Sequence, residues 1–172
     1  MTWSGDARDW VSGEGASDTK LDTELKDRAN FLLMRVLADY DGDEAGDHTL
    51  STTGAWTVLD DTEGNFKHTV TISGTTLSEK VRIDIRIPLQ AEGAGVFTVQ
   101  FRVTRDGTAI AESLGLIGME NATPNRWRVF STYEVDDPGA GTFIYRLEYK
   151  LSAQSFKMLR ATERPRFTIS GW

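Results

Sequence analysis

With 172 residues, no cysteine and a net charge of −7, the chain is long enough for one buried core but cannot build a disulfide framework or a thiolate metal site. The charge is uneven: residues 1–64 hold 15 acids and 5 bases, and residues 65–172 hold 11 acids and 14 bases, so a concentrated basic surface for nucleic acid is not expected. No apolar run approaches the roughly 18 residues a membrane span needs, and Asp6 and Asp9 stand where a secretory signal would carry bases, which predicts synthesis in a cytoplasm.

Residues 1–18 are rich in Gly, Ser and Asp and show no period, which predicts an extended arm. Trp3 and Trp10 carry large apolar side chains, so both are expected to lie against this domain or a neighbouring chain. A helix is predicted over 19–40, capped by Ser17 or Asp18. Leu21, Leu25, Ala29, Leu32, Val36 and Tyr40 form one stripe, Leu33 and Leu37 widen it, and Phe31 and Met34 lie opposite. A helix apolar nearly all round in its last turns needs cover on more than one side, which points to self-association or insertion between neighbours.

Residues 41–47 read as an acidic linker. Asp39, Asp41 and Asp43 are the best candidate for a calcium site, with Glu44 and Asp47 nearby and Gly42 permitting a turn. The EF-hand pattern then fails, because Glu44 takes the place of the turn glycine and Leu50 that of the bidentate Glu. Asp60, Asp61 and Glu63 form a similar, weaker cluster.

From His48 onward the period is two. The clearest strands are 67–73, 80–89, 96–104, 126–135 and 142–153, with weaker ones at 48–59, 108–117, 155–161 and 166–172. Val81, Ile83, Ile85 and Ile87 oppose Arg82, Asp84 and Arg86, and such one-sided strands predict antiparallel sheets packed face to face. Arg105-Asp106-Gly107 is a tight-turn signal, and residues 136–141 form a longer loop of turn-forming residues. The expected fold is all-β: an antiparallel two-sheet, jelly-roll-like sandwich over 48–172, preceded by the arm and one helix.

Chemical motifs are sparse. His48 and His68 are not paired by any ligand spacing, and no nucleophile elbow, phosphate loop or dinucleotide fingerprint occurs. No pair of acids is singled out for glycoside hydrolysis. Trp56, Trp127, Tyr133, Tyr145 and Tyr149 would stack on sugars if they faced outward. Trp127, Val129, Tyr133 and Val135 share one parity, however, which predicts a core role for that face. The basic and aromatic run from Phe156 to Phe167 reads as strand surface.

The stretch WVSGEGASDTKLDTELKDRANFLL (10–33) resembles the opening of small virion proteins of tailed bacteriophages, in which a Trp-x-x-Gly-Glu arm leads into a Leu-Asn-Thr-x-Leu-Arg-Asp-like helix. Here Asp22 replaces the usual Asn and Lys26 the usual Arg. VDDPGAGTFIYRLEYKLSA (135–153) resembles a strand pair of phage-fibre and C1q/TNF-like sandwiches. The resemblance implies a non-enzymatic structural protein of the virion, without cofactor: a capsid decoration, head-fibre or tail accessory protein. It implies a homotrimer that displays the sandwich and contacts other virion proteins, although a dimer would cover the helix stripe equally well. Trp3, Trp10, Leu21, Leu25, Leu32 and Val36 are then assembly contacts. The alternative is a carbohydrate or host-receptor binding module, with a host surface glycan held by sandwich loops such as 136–141.

Overall fold

A computed structural model describes residues 35–41, 46–51, 54–59, 66–72, 80–92, 97–110, 115–121, 127–152, 155–158 and 163–171. Every regular element among them is a strand. In chain order these are β1 (Arg35–Asp41), β2 (His48–Leu50), β3 (Thr57–Val58), β4 (Lys67–Ile72), β5 (Val81–Ala91) and β6 (Phe97–Arg105). There follow β7 (Thr108–Ala109), β8 (Leu116–Asn121), β9 (Trp127–Asp136), β10 (Gly141–Leu151), β11 (Phe156–Met158) and β12 (Arg166–Gly171).

The two longest strands organise the two sheets. In the first sheet β5 pairs with β9 over nearly its whole length, so β12 and β11 must share the opposite edge of β5. β12 occupies Val81 to Arg86 and β11 occupies Leu89 to Ala91, with β1 and β2 outside them in turn. Pro88 sits in the gap between those two partners, where a missing N–H costs the ladder least. The second sheet repeats the plan: β10 has β6 on one edge and β4 and β3 in line on the other, and β8 and β7 lie beyond β6. All of these ladders are antiparallel. The chain crosses from one sheet to the other after β2, β4, β5, β8, β9 and β10.

Alternation explains the core. Val81, Ile83, Ile85, Ile87 and Leu89 of β5 face Phe101 and Val103 of β6 and Tyr145, Leu147 and Leu151 of β10 across a common buried cluster with Phe66, Phe156 and Phe167. The tight turn expected at Arg105-Asp106-Gly107 joins β6 to β7. Asp106 and Gly107 both have positive φ, 50° and 84°, as a two-residue type I′ hairpin demands.

Polar groups also tie the sheets together. Asp136, the last residue of β9, accepts hydrogen bonds from Arg105 Nη1 of β6 (2.8 and 2.7 Å) and from the Tyr145 hydroxyl of β10 (2.7 Å). On the other side His68 Nε2 of β4 donates to the Phe167 carbonyl of β12 at 3.1 Å, and its ring stacks on Phe167.

The structure corrects the predicted helix at its end. Residues 35–40 belong to β1, paired with β12, and the register shifts between Val36 and Ala38. That bulge adds one residue, Leu37, and breaks the two-residue period, so the four-residue steps from Leu32 through Val36 to Tyr40 imitate a helix. The predicted linker is corrected with it, since Asp41 closes β1. The two weaker strands at 48–59 and 108–117 each divide, the first between β2 and β3 in different sheets, the second between β7 and β8. Residues 1–34, which carry the arm and most of the predicted helix, lie outside the described residues.

Asp136→Asn tests the tie between the sheets. It leaves Arg105 without its carboxylate and is expected to cost about 2–3 kcal/mol in urea unfolding, below the range for a fully buried pair. The lower figure follows from the 32% of the Arg105 side chain that stays in solvent.

Candidate functional site

Among the described residues, the exposed large apolar side chains lie on the outer face of the first sheet. On β9, Phe130, Glu134 and Asp136 point inward with the core parity of β5, because Ile87, Ile83 and Val81 are their cross-strand neighbours. The other parity therefore faces out: Trp127 is 52% exposed, Val129 38% and Tyr133 56%. The core role predicted for this face is thus corrected. The four residues do share one parity, but the buried carboxylates of Glu134 and Asp136 occupy the inward one.

Next to this stripe, β5 offers charged groups. The Arg82 guanidinium lies 4.3 Å from the Tyr133 ring centroid and pairs with Asp84 at 2.9 Å. Arg86 reaches Glu163 at 2.8 Å and also donates to the Arg164 carbonyl. These pairs are partly solvated and add little stability. Their effect is to fix the arginines beside the stripe, giving an apolar ladder with a charged flank. Such a surface suits a protein partner or the face of a sugar ring.

On the outer face of the second sheet, one aromatic ring is held by its own chain. Trp56 covers Arg102, whose guanidinium lies 4.5 Å from the ring centroid, and Arg102 pairs at 2.7 Å with Glu148. Glu148 is buried although it sits on the outward parity of β10. Trp56 is therefore occupied within the fold, and Tyr145 and Tyr149 are core residues. Burial and the Asp136 hydrogen bond push the Tyr145 hydroxyl well above the usual tyrosine range.

Of the predicted assembly residues, Val36 is described. It sits on β1, 59% exposed, opposite Ser170 on the outer face of the first sheet. Trp3, Trp10, Leu21, Leu25 and Leu32 lie outside the described residues, as does Asp43. The calcium reading meets a strand, not a loop: Asp39 and Asp41 stand in β1, and Asp39 accepts a hydrogen bond from Thr168 with Arg166 4.0 Å away. Among the described residues no group of histidines and carboxylates is placed to hold a metal ion, and no helix is long and apolar enough to cross a membrane. The loop after Asp136 leads into Gly141, whose φ is +154° and whose absent Cβ would come within 2.9 Å of the Phe143 ring.

The outward stripe left a signal in the sequence that apolar counting misses. Glu134 and Asp136 share a parity with Phe130, and the burial of a carboxylate by a partner such as Arg105 decides the facing.

No protein-family model and no curated protein matches the sequence. Among solved structures, the chain is similar to that of the infectious bursal disease virus Gt strain at 12% identity and TM-score 0.44, over 78% of this chain and 37% of that one. It is similar to the T13 particle of the same virus at 12% identity and TM-score 0.47, over 80% and 35%. A third similarity is to the enzymatically active domain of bacteriophage CBA120 tailspike protein 4, at 13% identity and TM-score 0.33, over 81% and 18%. The chain thus spans little more than a third of the viral-particle proteins it is similar to.

Burial pushes the His68 imidazole below its ordinary range, against the opposing pull of the Phe167 carbonyl and of Asp39. A histidine that resists protonation when folded stabilises fully above its unfolded pKa, about 6.5, and loses that contribution as pH falls from there through its lowered folded pKa. The melting temperature should therefore fall between about pH 7.5 and pH 5.5 more steeply in the wild type than in His68→Gln. Equal slopes in the two melting series would remove His68 as a cause.

Proposed function

We propose that the chain is a non-enzymatic structural protein of a bacteriophage virion, of the capsid-decoration, head-fibre or tail-accessory kind. In this reading residues 1–34 anchor it and the sandwich is displayed. The observation that carries the reading is the outward stripe of Trp127, Val129 and Tyr133, a sheet face with more apolar surface than a lone sandwich needs to expose. The two-sheet fold and the resemblance of residues 10–33 and 135–153 to tailed-phage virion proteins support it. The trimer is carried by that resemblance.

Trp127 and Tyr133 also favour a second reading, in which the same face stacks on a host glycan. Titration of the full chain with surface polysaccharides separates the two. Binding that Trp127→Ala abolishes, with the oligomer unchanged, supports the glycan reading.

Light scattering after size exclusion tests the assembly role, on the full chain and on a version lacking residues 1–34, a cut that leaves β1 in place. The full chain should have the mass of three copies or a multiple of three. The shortened chain should fall to one or two copies while keeping the β-type circular dichroism of the sandwich. A full chain that stays monomeric up to high concentration would overturn the proposal.

A further inference from the structure

The outer face of the second sheet carries charge that its own residues do not balance. Tyr145 and Leu147 of β10 and Val103 of β6 belong to the core, so Arg146 and Thr104 beside them face outward. Arg146 stands directly opposite Lys67 of β4 on one side and directly opposite Thr104 of β6 on the other. The three therefore lie in one row across the sheet. Directly opposed residues have Cβ atoms about 4.5–5.5 Å apart, and like charges so placed destabilise the pair.

The acids around this row are already committed. Glu148, next on the same face of β10, is held by Arg102 at 2.7 Å. Asp106, in the turn between β6 and β7, accepts from the Ile144 N–H at 2.8 Å. Lys67 and Arg146 make no ion pair with any described residue. The row also lacks hydrogen bonds. Arg146 Nε and the hydroxyl of Thr104, a fully buried residue, are both buried without a partner among the described residues. Polar groups left unpaired in this way are costly.

Two opposed cations and two unpaired polar atoms in one row define the group that would relieve them: a single anion with several acceptor oxygens. The guanidinium fork matches the oxygens of a phosphate, sulfate or carboxylate, and an ammonium adds a point charge. A row with two uncommitted cations suits one such group, not a nucleic-acid backbone, which needs a longer basic track.

We propose that Lys67 and Arg146, with Thr104 beside them, form an oxyanion-binding site on the outer face of the second sheet. The ligand is a phosphate, sulfate or carboxylate group, free or carried on a polysaccharide. The site stands apart from the Trp127 stripe and does not rest on the assembly reading.

Thermal melts of the full chain at low ionic strength test it, with inorganic phosphate as the probe. At a phosphate concentration tenfold above its dissociation constant, the wild type should melt about 3–5 °C higher than in sodium chloride of equal ionic strength. Lys67→Gln and Arg146→Gln should each lose most of that shift. Without phosphate, Lys67→Gln should melt at or above the wild type, because it removes the opposed charge. Sulfated dextran, compared with neutral dextran, separates the two sources: a shift at a lower concentration of anionic groups than phosphate requires marks a polymer-borne group, and a shift with phosphate alone marks a free anion. No shift in the wild type, or equal shifts in the wild type and both variants as general salting produces, overturns the site. So does a Lys67→Gln chain that melts well below the wild type without phosphate, since Lys67 would then serve the fold itself.

Discussion

The buried carboxylate of Asp136 is the constraint on which the exposed face of this sandwich depends. It accepts from Arg105 and Tyr145 across the gap between the sheets, at the point where the chain leaves β9 to enter β10. A strand has only two faces, so fixing Asp136 inward fixes Glu134 and Phe130 inward and turns Trp127, Val129 and Tyr133 to the outside. The ladder with β5 enforces the same choice, since Asp136 stands opposite Val81 and Glu134 opposite Ile83.

Magnitudes make that choice informative. Burying Trp127, Val129 and Tyr133 would be worth roughly 1.5–3 kcal/mol for each aliphatic or aromatic side chain. Burying a carboxylate is costly unless a charged partner compensates it, and such pairs often only break even. Considered alone, the sandwich has placed its costlier residues inside and its better core-formers outside. The arrangement is economical for a protein whose outer face is covered by a neighbour, because the apolar area is then buried at an interface while the ion pair joins the two sheets. The second sheet shows the contrasting solution, with Trp56 folded over Arg102 and Glu148 of its own chain.

The sequence made most of this architecture legible. The period of two located β4, β5, β6, β9 and β10 to within two residues at either end, because each has one mostly apolar parity. The β6–β7 turn was legible because Asp-Gly at positive φ has few alternatives. Two features were hidden for different reasons. In β1 the bulge at Leu37 offsets the parity, and the surviving apolar spacing of four imitates a helix. In β9 the pattern was read correctly and assigned to the wrong face, because apolar counting does not register a carboxylate whose partner, Arg105, lies 31 residues earlier in the chain.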